Sequence, residues 1–116
     1  MEKTNVIKDK SYQFALRMIK VYKYLSTAQR EFVLSKQMLR SGTAIGALVC
    51  EAEYAQSKAD FIHKMSISLK EANETAYWTS LLNDSDYLDE RGALSLRQDC
   101  YELIKILTSI IKSSKQ

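Results

Sequence analysis

The sequence predicts an all-α protein, an antiparallel up-down-up-down four-helix bundle. Three observations lead there. The 116 residues hold no proline and only three glycines, too little turn punctuation for a strand-rich fold of this size. Apolar residues recur at three- and four-residue steps in four stretches, the spacing that gathers side chains on one helix face. Short polar clusters join the stretches, and short connections make successive helices antiparallel neighbours. Residues 1–116 suffice for one domain around one core. With 46% apolar and 27% charged residues the chain has the composition of a folded domain, not of a disordered one.

The first helix is expected from near Asp9 or Ser11 to about Ser26. Phe14, Met18, Val21, Tyr22 and Leu25 lie on one side of a 3.6-residue repeat, widened by Tyr12, Ala15 and Ile19. Lys10, Gln13, Arg17, Lys20 and Tyr24 fall on the opposite side. The second helix is expected from about Glu31 to Gln56. Met38, Gly42, Ile45, Val49 and Ala52 alternate there in steps of four and three, a bundle-type seam. Gly42 and Gly46 within it leave room for another helix to come close.

Ser57 is a suitable cap for the third helix, with Asp60 three residues on to suit its positive end. Ile62, Met65, Leu69, Ala72 and Ala76 then form a heptad-like stripe. A second, narrower stripe of Ile67, Trp78 and Leu81 lies nearly opposite, so this helix calls for two partners: the core and something else. NDSDYLDE is a turn cluster. The fourth helix follows from about Asp89 or Ala93 to Ser113, with a seam of Leu96, Cys100, Leu103, Leu107 and Ile110. The final KSSKQ reads as a frayed tail.

The net charge of +3 is too small to identify a nucleic-acid binder, but its distribution is uneven. Residues 1–30 carry seven basic and two acidic side chains, whereas residues 57–90 carry three and seven. The N-terminal segment is a positive patch, and the acidic segment is either its partner or solvated surface. Lys10, Arg17, Lys20 and Lys23, beside Tyr24, offer phosphate contacts next to an aromatic ring on which a base can stack. The alternative is an ordinary solvated face.

Folding the second and third helices about residue 57 brings Arg40 level with Glu74, and Glu51 level with His63 and Lys64. Arg40, Glu51, Glu71 and Glu74 are therefore expected to form a structural polar seam, with Arg40 donating to Glu74 or Glu71. Read functionally, the seam is an anion or ligand site; read structurally, it is an ion pair that fixes register. A di-iron site needs a Glu-x-x-His on each of two helices, and the single histidine, His63, has no such companion. One histidine also leaves no Ser/His/Asp or Cys/His arrangement, so no catalytic residue, metal, cofactor or small-molecule substrate is expected. Cys50 and Cys100 stand far apart without metal-ligand spacing and are expected as reduced, buried packing residues. A polar N-terminus without an apolar signal core, and no run of about 20 apolar residues, point to a cytoplasmic chain away from membranes.

QMLRSGTAIGALVCEAEYAQSKADF followed by KEANETAYWTSLL resembles the four-helix bundle proteins encoded within 23S ribosomal RNA intervening sequences. SYQFALRMIKVYKYL and ELIKILTSIIK extend the likeness over nearly the whole chain. Leu48 stands where that family commonly has asparagine, so any role of that polar side chain is missing here. The resemblance implies a homo-oligomer, specifically a pentamer, whose subunit interface would take the stripe of Ile67, Trp78 and Leu81. A related group is similar to the accessory variability proteins of diversity-generating retroelements, which work with a reverse transcriptase and its RNA through a basic surface. The expectation is therefore a non-enzymatic bundle that binds RNA or a ribonucleoprotein partner. The alternative is a protein-interaction scaffold without nucleic-acid affinity.

Overall fold

Each periodic stretch is a helix. The structure, a computed structural model, describes residues 2–116, as α1 (Glu2–Thr27), α2 (Leu34–Glu53), α3 (Lys58–Asp84) and α4 (Glu90–Ser114). Every helix packs on its neighbours in the chain and α4 also closes on α1, while among the described residues the backbones of the diagonal pairs do not come close. The result is a four-helix bundle of 45 × 20 × 18 Å. Partners fall in number on one helix as they rise on the next: Arg17 meets Ser95 and Lys10 meets Glu102, and Ser41 meets Thr75 while Ile45 meets Ser68. That is the antiparallel arrangement. Among the described residues no helix is long and apolar enough to cross a membrane.

The interior is built from the predicted seams with some substitutions of membership. Phe14, Met18 and Leu25 of α1 are buried with Met38, Ile45, Val49 and Ala52 of α2. Leu96, Cys100, Leu103, Leu107 and Ile110 of α4 complete the other side. Val21 and Tyr22 are only partly buried. α1 starts earlier than the periodicity implies, because Ile7 and Ser11 continue its buried face to the N-terminal side. Ser11 disguises that continuation. It is a polar residue in the seam, its hydroxyl bonded to the carbonyl of Lys8, and it lies against Gly46 of α2.

α2 is shorter than expected at both ends. Arg30 takes a left-handed backbone conformation (φ 53°), which stops the chain running straight from one helix into the next. Glu31 is then buried, and its carboxylate accepts from the amides of Val33, Leu34 and Ser35 at 3.1, 3.0 and 2.7 Å. These amides open the helix and lack intrahelical partners, so Glu31 serves as its cap. Burial pushes the Glu31 carboxyl up, but the three amides and the Ser35 hydroxyl outweigh it, and the net shift is downward. The expected cap of α3 forms, Ser57 accepting from the Asp60 amide at 3.0 Å, and α4 is capped by Asp89, which accepts from the Gly92 amide at 2.6 Å. KSSKQ is largely helical rather than frayed; α4 runs to Ser114, and Lys58 Nζ donates to the Gln116 carbonyl at 3.2 Å.

The third helix departs most from the sequence reading. Its buried face is Met65, Ser68, Ala72, Thr75, Thr79 and Leu82, while Ile62, Leu69 and Ala76 flank it. The hydroxyls can be buried because each finds a partner. Ser68 donates to the Ile45 carbonyl across the α2–α3 boundary at 2.9 Å, and the Thr75 and Ser41 hydroxyls meet there at 2.8 Å. Thr79 bonds back to Thr75 within α3 at 2.9 Å. Among the described residues no buried side-chain nitrogen or oxygen lacks a partner, which is the condition for a polar seam not to weaken a core.

Two outcomes follow from these contacts. A Cβ on Gly42 would lie 2.5 Å from Met18 Cγ and 2.6 Å from its sulfur, so Gly42→Ala forces the fully buried Met18 side chain to shift within the core. It should cost about 1–3 kcal/mol by urea denaturation, against the gain of roughly 1 kcal/mol that Ala enjoys in an exposed helix. A stabilised Gly42→Ala would show that the two helices are not held together there. Glu31→Ala should cost about 1–2 kcal/mol at neutral pH. Because the folded carboxyl is depressed, that contribution is present above the ordinary glutamate range and lost as pH falls through the folded value. The gap between variant and wild type should therefore close on acidification, and a gap that persists would assign the loss to packing alone.

Candidate functional site

The outer face of α1 carries the cations singled out in the sequence, and the fold treats them differently. Lys10 Nζ lies 3.3 Å from Glu102 of α4. Arg17 is held more firmly: Nη1 lies 2.5 Å from Asp99, and Nη2 donates to the Ser95 hydroxyl at 2.8 Å. Lys8 pairs with Glu53 of α2 at 3.0 Å, a hydrogen bond and charge contact that hold its ammonium above the usual lysine range. The partners of the basic segment are thus on α4 and α2, not in residues 57–90. Antiparallel packing of the first and last helices sets Lys10 against Glu102 and Arg17 against Asp99, a register that the sequence contains once α4 is placed beside α1.

Lys20 and Lys23 are exposed, and neither side chain has a hydrogen bond or ion pair among the described residues. Tyr24 beside them is half exposed, its hydroxyl accepting from Gln29 Nε2 at 2.8 Å. Arg17, Lys20 and Tyr24 line one wall of a shallow groove of about 280 Å³ whose other wall is Leu88, Gly92 and Leu96. Of the five expected contact residues, three therefore remain available at the C-terminal end of α1.

Between α2 and α3, Arg40 donates through Nε to Gln37 at 3.2 Å, through Nη1 to Glu71 at 3.3 Å, and through Nη2 to Glu74. Trp78 Nε1 donates to the same Glu74 carboxylate at 3.1 Å. Lys64 reaches Glu51 at 3.2 Å. The guanidinium is satisfied within the chain on every nitrogen, but it is 49% exposed, against 18% for Glu71 and 32% for Glu74. Such a half-exposed network fixes relative position more than it adds stability, since surface pairs contribute about 0–1 kcal/mol. Ile67, Trp78 and Leu81 are partly buried on α3, with Trp78 packed against the core and Tyr77 edge-on to it at 5.1 Å.

No group of three or more His, Cys, Asp or Glu forms among the described residues, and His63 is exposed on α3. The two cysteines part company. Cys100 is buried, donates to the Ala72 carbonyl at 3.1 Å, and burial pushes its thiol up to about 12. Cys50, expected in the interior, is exposed. It sits one residue past Val49 on α2, where the helix has turned to the solvent edge of a groove shared with Tyr12, Ala15 and Gly46.

The family model described as 23S rRNA-intervening sequence protein matches residues 3–109. The chain belongs to that family. A crystal structure of a protein of unknown function from the S23 ribosomal protein family of Bacteroides thetaiotaomicron VPI-5482 superposes with a TM-score of 0.94. It shares 55% identity, over 95% of this chain and 98% of that one. No curated protein matches. The family match spans the α1 cations, the Arg40 seam and both cysteines, and ends inside α4, short of Lys112. Leu48, where the family resemblance expects asparagine, is partly buried on α2.

The cysteine environments predict unequal reactivity. A thiol-specific reagent should modify Cys50 in the native protein, while Cys100, kept protonated and covered, should react only on unfolding. Counting labels by mass spectrometry checks this, and two labels on the folded chain would mean that the α3–α4 seam opens.

Proposed function

We propose that this protein is a non-enzymatic, self-assembling helical bundle of the cytoplasm that binds RNA or a ribonucleoprotein. The contact surface is the C-terminal end of α1, where Lys20 and Lys23 stand beside Tyr24. One observation carries the reading: these two cations are exposed and uncommitted, whereas Lys10 and Arg17 are drawn onto α4 carboxylates. A phosphate chain can engage free ammonium groups without first breaking an ion pair, and Tyr24 offers a ring face for a base. The family's description ties its members to 23S rRNA insertions, which supports RNA as the polyanion. The resemblance implies a pentamer. The half-buried stripe of Ile67, Trp78 and Leu81, and the exposed Tyr12, Leu16 and Ile19 of α1, are the apolar surface that subunit contacts would cover.

The test is fluorescence anisotropy of the assembled protein with a structured RNA over a salt series. Binding should weaken steeply as salt rises, and Lys20→Glu/Lys23→Glu should weaken it on the order of tenfold or more at moderate salt. Arg17 is unsuitable for reversal, because a glutamate there would face Asp99. Absence of binding at low salt, with a protein partner retained after nuclease treatment, would favour the scaffold reading instead.

A further inference from the structure

The cations of α4 are arranged in a way that neither the fold nor the α1 surface accounts for. Arg91, Leu94, Gln98, Tyr101, Lys105, Thr108 and Lys112 are all exposed and follow one another at alternating steps of three and four. They make one continuous strip along the outside of the helix. Two columns run through it at seven-residue intervals, Arg91, Gln98, Lys105 and Lys112 in one, Leu94, Tyr101 and Thr108 in the other. At 1.5 Å per residue each interval is about 10.5 Å, and Arg91 to Lys112 spans roughly 31 Å.

None of these seven positions is acidic. The acidic residues of the helix body, Asp99 and Glu102, lie at its α1 edge and are engaged with Arg17 and Lys10. The remaining two, Asp89 and Glu90, are confined to the N-terminal end, where Asp89 is bound to the Gly92 amide. Arg91, Lys105 and Lys112 themselves have no hydrogen bond or ion pair among the described residues. Ion pairs join α1 to α2, α1 to α4 and α2 to α3, but none among the described residues joins α3 to α4.

Helix stability does not explain the placement. A cation in the last turn, such as Lys112, suits the negative end of the helix dipole, but Arg91 stands in the first turn, at the positive end, where a cation is disfavoured. Leu94 and Tyr101 are 52% and 50% exposed on the same strip. Gln98, Tyr101 and Lys105, with Glu102 at the edge, line a shallow depression of about 370 Å³. A line of cations free of ion pairs, with a half-exposed aromatic at its middle and Glu102 drawn toward Lys10 at its α1 edge, matches an extended polyanion that carries stackable rings.

We propose that the outer strip of α4 is a track for a single strand of nucleic acid. Arg91, Lys105 and Lys112 take phosphates along the strand, and Tyr101 stacks on a base between them. The track rests on the nucleic-acid reading given above but is a different surface from Lys20 and Lys23. It also extends beyond the residues that the family model covers, since Lys112 follows position 109.

The test is salt-dependent binding of matched single-stranded RNA and DNA oligonucleotides to the full chain, by fluorescence anisotropy. Each phosphate contact to a single strand contributes about 0.7 to the slope of log affinity against log salt, so Arg91→Gln/Lys105→Gln/Lys112→Gln should lower the slope by about 2. Arg91→Lys/Lys105→Arg/Lys112→Arg should keep it. Tyr101→Ala should weaken binding about tenfold with the slope unchanged. All four positions are exposed, so helicity and assembly should be retained and serve as the control. A slope unchanged by the glutamine substitutions, in a protein whose binding falls with the Lys20/Lys23 reversal, would overturn the track and leave the α1 surface standing. No binding of either strand by wild type at low salt would overturn the track, and would overturn the α1 surface as well only if the structured RNA also fails to bind. Preference between RNA and DNA in the wild type tells whether the 2′-hydroxyl is read as well as the phosphates.

Discussion

The α1–α2 boundary governs the rest of the molecule because two glycines of α2 let α1 pack closely against it there. Gly42 allows this by leaving its Cβ volume to Met18, and Gly46 by facing the backbone carbonyl of Ser11. With α1 seated so deeply, its opposite flank meets α4 and its cationic side turns outward. That placement decides which basic residues meet carboxylates. Glycine costs helix stability at an ordinary position, so its use at two positions one turn apart is intelligible only through what it lets in.

The second constraint is the polar interior of α3. Ser68, Thr75 and Thr79 occupy positions that a bundle usually fills with leucine or alanine. Hydroxyls at such places are tolerable when bonded and costly when not, so they discriminate between registers. A one-turn slip of α3 against α2 would separate Ser68 from the Ile45 carbonyl and Thr75 from Ser41. The apolar seams of α2 and α4 would accept several registers with similar burial, each large side chain contributing about 1.5–3 kcal/mol in any of them. The hydroxyl contacts, together with Arg40 on Glu71 and Glu74, select one.

How much of this was legible in the sequence follows from what encodes each feature. Helix number, order and the cap at Ser57 are local, and spacing and side-chain type reveal them. The buried face of α3 is not, because serine and threonine look solvent-facing to any hydrophobic periodicity; only their partners on another helix tell otherwise. Glu31 is hidden for a similar reason, a charged residue whose burial depends on a left-handed turn at Arg30 that no glycine announces. The level of Arg40 with Glu74 and of Glu51 with Lys64 is legible once the α2–α3 turn is located. The corresponding levels on α1 and α4 come from the ends of the chain, where no turn marks the register, so Asp99 and Glu102 stay unrecognised as partners of Arg17 and Lys10. Cys50 fails on a smaller scale, since one residue beyond a buried valine is a third of a helical turn.

These pairings matter more for the field around the protein than for its stability. Exposed pairs such as Lys10 with Glu102 contribute about 0–1 kcal/mol each, little beside the core. Yet charge effects on a surface fade over about 8–10 Å at physiological salt, so a cation with a carboxylate at 3 Å is nearly silent to an approaching polyanion. A net charge of +3 therefore understates some regions and overstates others. The side of α1 facing α4 is neutralised locally, while the end of α1 and the outer edge of α4 keep their charge uncancelled. The same packing that satisfies Arg17 and Lys10 engages Asp99 and Glu102 at one edge of α4, and leaves Arg91, Lys105 and Lys112 on the outer strip without an ion pair among the described residues.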